Sequence, residues 1–195
     1  MSYVNSKYNF IQAKMRMTGS SPEFARPIHL AMPVGTEVVY IAKIESRHAY
    51  GMLSHIGTRL PMYCTALGKS ILAFSDPSLL QEVLARPPKS HTPHTITSAD
   101  ALEAELSLVR SRGFAIDDEE NEVGIRCVGA PIIDYANKAI AAISISGPRE
   151  RMDWDRCYQF GSLVRDAARR ISKRRGFVEQ NTDGSEAQHE NAHRR

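Results

Sequence analysis

No long apolar run is present in this chain. Nothing approaches the roughly 20 apolar residues that a membrane-spanning helix requires, so a membrane role has no support. The start, MSYVNSKYNF, lacks the apolar core of a secretory signal. Cysteine is scarce and odd in number: Cys64, Cys127 and Cys157 stand far apart and form no disulfide framework. Free thiols in a cytoplasmic protein are the reading that follows. Charge of one sign is not in excess either. Lys and Arg number 25 against 22 Asp and Glu, a net +3, and the isoelectric point near 8.8 falls short of the basic excess that alone argues for nucleic-acid binding.

What is present suits one globule. A chain of 195 residues with 42% hydrophobic content has material for a single core with modest extensions. TEVVYIAKIES is dense in β-branched and aromatic residues and predicts a buried strand. Ala49 to Ile56 predicts a second, before Gly57 and Pro61 interrupt. In TALGKSILAFSDP, Thr65 can cap a helix that Ala66 begins, and Asp76 with Pro77 ends it and starts another. The free N–H groups of Ala66 and Leu67 could serve a carboxylate, or be satisfied by water or by Thr65. RPPKSHTPHTITS predicts a surface loop. Its His91 and His94 have a proline between them and no regular frame, which makes a poor chelate, so no metal is assigned.

Ser98 to Arg112 predicts an amphipathic helix, with Leu102, Leu106 and Val109 at helical spacing and Gly113 closing it. Glu150 to Arg175 predicts a long helix with Trp154, Tyr158, Val164, Ala168 and Ile171 near one face. Its basic last turns, from Arg165 to Arg175, suit a helix C-terminus better than they argue for phosphate contacts. From residue 178 the tail is polar and expected to be disordered.

The remaining stretch, Gly113 to Pro148, carries the chemistry. Alternation of side chains predicts a hairpin, with one strand from Gly124 to Ile133, a turn from Asp134 to Lys138 and a second strand from Ala139 to Ser146. Ser144 and Ser146 then share a face with Ala142, while Ile143 and Ile145 face the opposite layer. Two hydroxyls on an apolar strand need partners, which backbone, water or a small polar ligand can supply. In DDEENE, Asp118, Glu119, Glu120 and Glu122 are expected in solvent because packed like charges repel, with an Arg126 pair as an anchor. Asp117 is singled out from that run.

The motifs DDEENEVGIRCVGAPIID and AAISISGP, with RLPMYCTALGKSILAF ahead of them, resemble the effector-binding domain of the IclR family of bacterial transcription regulators, over residues 28–177. The resemblance implies an α+β fold, a GAF-like or profilin-like twisted antiparallel sheet flanked by helices. Residues 1–27 are then an N-terminal segment or linker remnant, and 178–195 a tail. It also implies a small organic acid effector held by Asp117, Cys127, Ser144 and Ser146, with Ala66 and Leu67 as backbone donors and Met52 and Leu60 as apolar wall. A homodimer or homotetramer is implied too, with no cofactor. The family's winged helix-turn-helix has no room in the segment ahead of residue 27. Operator DNA is therefore a partner only through a domain outside this sequence, and a start after that domain is preferred to a protein lacking it.

Two other chemistries remain. A nucleophilic Cys127 would need a base and a lowered thiol pKa, yet Arg126 faces away from it and no histidine is near in sequence. A metal site of Cys127, Asp117 and a histidine has both soft and hard ligands but no supporting spacing. The expectation is a sensor and no enzyme, with a cysteine-dependent enzyme acting on a small carboxylic acid, or a ligand-free oligomerisation module, as alternatives.

Overall fold

The computed structural model describes residues 26–45 and 54–177. Among these, six strands form one antiparallel sheet in the order β3-β2-β1-β6-β5-β4. The strands are β1 (Ile28–Val34), β2 (Glu37–Ile44), β3 (Arg59–Pro61), β4 (Ala115–Asp118), β5 (Ile125–Ile133) and β6 (Ala139–Pro148). Four helices flank the sheet: α1 (Ala66–Ala73), α2 (Pro77–Leu84), α3 (Ala99–Arg112) and α4 (Trp154–Lys173). This is the α+β arrangement expected.

Alternation along the central strands divides the molecule into two cores. Ile28, Leu30, Val128, Ala130, Ile143 and Ile145 face α4, where Phe160, Val164 and Ile171 meet them. Ala31, Val38, Tyr40 and Ala142 face the other way, onto Leu67 and Ile71 of α1 and Leu102, Leu106 and Val109 of α3. The hairpin β5–β6 forms as its pattern requires, with Cys127 opposite Ser146 and Gly129 opposite Ser144. Ser98 caps α3 by accepting the Ala101 N–H, and Gly113 ends it at φ +80°, a left-handed conformation that suits glycine.

Several expectations need correction. The strand expected in TEVVYIAKIES does form, as β2, but its hairpin partner IHLAMPV, which is β1, was not anticipated. Of the strand expected over Ala49 to Ile56, residues 49–53 lie outside the described residues, residues 54–56 form no strand, and Ile56 sits exposed in a turn. The last helix starts at Trp154 instead of Glu150, because residues 149–151 form a 3-10 turn and Asp153 caps α4 through the Arg156 N–H. Its buried line runs Cys157, Phe160, Val164, Ala168 and Ile171. Trp154 and Tyr158 are 49% and 53% exposed, being one position, roughly 100°, away from that line. Each lies on a neighbour at the surface: the Arg126 guanidinium is 4.6 Å from the Trp154 ring centre, and Tyr158 meets Phe114 edge-on.

The largest correction concerns the acidic run. Asp117 and Asp118 end strand β4, and beyond them Glu119 and Glu120, expected in solvent, are only 4% and 5% exposed. Glu119 pairs with Arg149 at 2.9 Å. Glu120 is bonded to Lys69, itself 1% exposed in α1, whose ammonium also donates to the Ile116 carbonyl at 2.6 Å. Asp118 pairs with Arg126 on the α4 side, as anticipated. The Pro- and Thr-rich loop is stitched to this segment, since the hydroxyls of buried Thr92 and Thr95 donate to the carbonyls of Glu119 and Glu120 at 2.7 and 2.6 Å.

Candidate ligand-binding site

Strand register builds the floor of the site. Asp117 on β4 is opposite Cys127 on β5, and Cys127 is opposite Ser146 on β6, so three polar side chains form a row on one face. One step along, Gly129 is opposite Ser144, and Ser144 is opposite His29 of β1. Antiparallel partners place their side chains together, which gathers residues far apart in sequence.

The start of α1 lies across this floor. A Cβ added to Gly129 would stand 2.9 Å from the Ala66 carbonyl, so only glycine there lets the helix approach the strand so closely. Gly68 plays the same part on the helix, where a Cβ would overlap the Met62 backbone. The Thr65 hydroxyl accepts the Gly68 N–H at 3.1 Å and donates to the Pro61 carbonyl at 2.9 Å. The cap thus consumes the third amide of the turn and leaves those of Ala66 and Leu67 outside the helical ladder, at its positive end.

Between helix and sheet is a cavity of about 190 Å³. The expected residues Leu60, Ala66, Leu67, Asp117, Cys127, Ser144 and Ser146 all line it. Met52 lies outside the described residues. Tyr40, Thr58, Asn121 and Glu122 line it as well and were missed. Only the alternation of β2 hinted at Tyr40, and the pairing of β2 with β1 and β3 that brings it here is not written locally. No lysine, arginine or histidine is among the described lining residues, so an anion would be held by amides and hydroxyls.

Asp117 is 3% exposed, and its Oδ1 accepts the N–H of Glu120 at 2.8 Å and that of Asn121 at 3.4 Å. Burial, reinforced by the Glu120 charge, nevertheless pushes its pKa up to about 7, against the opposing effects of Lys69 and those two amides. The group therefore exchanges between acceptor and donor near neutrality. Burial and Asp117 drive the Cys127 thiol well above its ordinary value, outweighing its bond with Ser146.

A thiol so raised is a poor nucleophile. Alkylation of Cys127 by iodoacetamide is expected to be slow at pH 7 and to accelerate only above pH 9, the ordinary thiol value. Mass spectrometry of the labelled peptide against pH checks this; fast labelling below pH 7 would point to an activated nucleophile. Cys64 and Cys157 are held up as well, to about 12 and about 11, chiefly by burial. His91 and His94 are exposed, and His91 Nε2 lies 3.1 Å from the Tyr63 hydroxyl. Among the described residues no group of three or more His, Cys, Asp or Glu is placed to hold a metal. No described helix is long and apolar enough to cross a membrane.

Residues 1–173 match the family model described as "Bacterial transcriptional regulator IclR C-terminal". The HTH-type transcriptional regulator KdgR of Dickeya chrysanthemi is 37% identical over 166 residues, covering 85% of this chain and 54% of that protein. Among solved structures, IclR of Thermotoga maritima superposes with a TM-score of 0.79 at 35% identity, over 88% of this chain and 67% of that one. The C-terminal domain of E. coli KdgR superposes with a TM-score of 0.73 at 35% identity, over 87% of this chain and 99% of that domain. The chain spans about half the length of the curated KdgR relatives it matches. These relatives are named as transcriptional regulators, not as enzymes.

Proposed function

Because this chain belongs to the IclR family of bacterial transcriptional regulators, as their C-terminal domain, we propose that it is an effector sensor whose ligand is a small carboxylic acid bound between α1 and the β4–β6 floor. One observation carries the reading. The two unladdered amides of Ala66 and Leu67 are pressed against β5 at Gly129, beside Ser144 and Ser146. Amides at a helix start and hydroxyls together suit an oxyanion. Asp117 at the other end of the polar row suits a ligand hydroxyl, and Leu60 with Tyr40 supplies apolar wall. In a longer protein carrying the helix-turn-helix for which its relatives are named, occupancy of this cavity would alter operator binding. Assembly as a homodimer or homotetramer is part of the same proposal.

The test is thermal unfolding of the chain with acetate, lactate, glycerate and gluconate, four acids of rising hydroxyl content. A ligand at a hundredfold excess over its Kd adds about 2.7 kcal/mol, or roughly 5–10 °C for a domain of this size. A pure oligomerisation module would show no shift with any of them, and an enzyme would consume the acid that stabilises it. The double variant Ser144→Ala, Ser146→Ala should bind about 1–3 kcal/mol more weakly, the scale of hydrogen bonds to a charged group. Its unliganded stability should be unchanged, since alanine fits a buried strand face. An unfolded variant with unaltered affinity in the folded fraction would make the serines structural.

A further inference from the structure

Behind the cavity wall is a buried histidine. His29 is fully buried in β1, and it is not among the residues lining the cavity. It nevertheless touches or adjoins three residues that are. Its ring stacks on Tyr40 at 4.8 Å between centres, its Nε2 is 2.9 Å from the Ser54 hydroxyl, and it is the register partner of Ser144. Its Nδ1 is buried and has no hydrogen-bond partner among the described residues.

A neutral imidazole carries one N–H and one acceptor nitrogen. Burial, together with the charge of Lys43, holds His29 in the neutral form, with a pKa lowered to about 4. If the Ser54 hydroxyl donates to Nε2, the single proton resides on Nδ1. Nδ1 is the ring nitrogen nearest the backbone. Cross-strand partners carry their Cβ atoms about 4.5–5.5 Å apart on the same face, so Ser144 is the cavity residue beside it, although no hydrogen bond joins the two side chains in the structure. A buried N–H without a partner is costly, and an acceptor fixed nearby by a ligand would relieve that cost.

We propose that His29 is a positioning residue for the effector carboxylate: when the carboxylate binds and draws the Ser144 hydroxyl into place, the Nδ1–H donates to the Ser144 oxygen, which directs the Ser144 proton at the ligand. The order is Ser54 O–H to Nε2, Nδ1–H to Ser144, and Ser144 O–H to the carboxylate. Tyr40 holds the imidazole plane by stacking. This rests on the carboxylate reading of the cavity and adds to it a residue that never touches the ligand.

The experiment is nitrogen-15 NMR of the histidine rings and backbone amides of the chain, titrated with acetate, lactate, glycerate and gluconate. Expected is at least one acid that shifts the Ala66, Leu67 and Ser144 amides, with His29 protonated at Nδ1 throughout and gaining a hydrogen bond there when that acid binds. Alongside, His29→Asn keeps a donor near the Nδ1 position, and His29→Gln keeps one only near Nε2. Affinity for that acid should stay within about threefold in His29→Asn and fall roughly tenfold or more in His29→Gln, as a hydrogen bond supporting a charged group implies. In a Ser144→Ala background, His29→Gln should have no further effect.

If an acid binds but His29 is protonated at Nε2 or gains no hydrogen bond at Nδ1, or the two variants lose affinity equally, the positioning role is wrong and the cavity reading stands. If none of the four acids shifts an amide of the cavity, the carboxylate reading fails and this role goes with it. The wild-type tautomer and its Nδ1 hydrogen bond decide the matter even where a variant does not fold.

Discussion

Replacing Lys69 with methionine is expected to lower the stability of the domain by about 3–5 kcal/mol, the usual consequence of removing one partner from a buried ion pair. The ammonium is 1% exposed and bonds the Glu120 carboxylate and the Ile116 carbonyl, with Glu105 at 3.5 Å and Arg112 on the far side of Glu105 at 2.7 Å. Methionine fits the volume but leaves the Glu120 charge without its cation. The second oxygen of Glu120 is already without a hydrogen-bond partner among the described residues. Adding Glu120→Gln to Lys69→Met should restore part of the loss, because a neutral amide is cheaper to bury than a carboxylate. The exposed pair Lys138–Asp76, also at 2.7 Å, provides the comparison: water screens it, so Lys138→Ala should leave the urea midpoint nearly unchanged. Urea unfolding of the variants measures both. Equal, small effects at the two sites would mean that the buried network does not hold α1 to the β4 turn.

Asp117→Asn should have the opposite sign at alkaline pH. The folded carboxyl has a pKa of about 7 against an ordinary 3.8. The folded state therefore keeps a proton that the unfolded chain has released between pH 4 and 7. Stability from this group is present below pH 4, falls as pH rises through that window and is flat above it. At 1.36 kcal/mol per unit, the ceiling of the effect is about 4 kcal/mol. Asparagine cannot ionise, and its amide oxygen can still accept the N–H of Glu120. The variant should thus exceed the wild type in stability at pH 8 and converge with it near pH 4, which urea midpoints across that range will show. Parallel curves for the two proteins would mean that the buried charge carries no such penalty. If the carboxylate accepts from a ligand hydroxyl, the variant should also bind glycerate or gluconate more weakly, so that the cavity keeps a destabilising group for its ligand.

The features legible in the sequence are those whose cause lies within a few residues. Ser144 and Ser146 share a face because strand side chains alternate, and the structure places both in one cavity with Ala142 on the same side. Thr65 caps α1 because a hydroxyl just ahead of a helix reaches its third amide, and Gly113 ends α3 for an equally local reason. Periodicity misjudged the last helix by one residue, because the aromatic residues Trp154 and Tyr158 look like core yet lie about 100° from the buried line.

Other features were decided by tertiary structure alone. Lys69 and Glu120 are separated by 51 positions, and a run of acids reads as solvated until a buried cation is brought to it by α1 packing on β4. His29 adjoins Ser144 only because β1 lies between β2 and β6, and Tyr40 and Ser54 reach that neighbourhood through their contacts with His29. That neighbourhood comes from strand pairing across more than a hundred residues. Alternation and capping specify which way each side chain faces; which strands become neighbours depends on how two hydrophobic cores close on opposite sides of one sheet, a long-range outcome that short-range spacing does not encode.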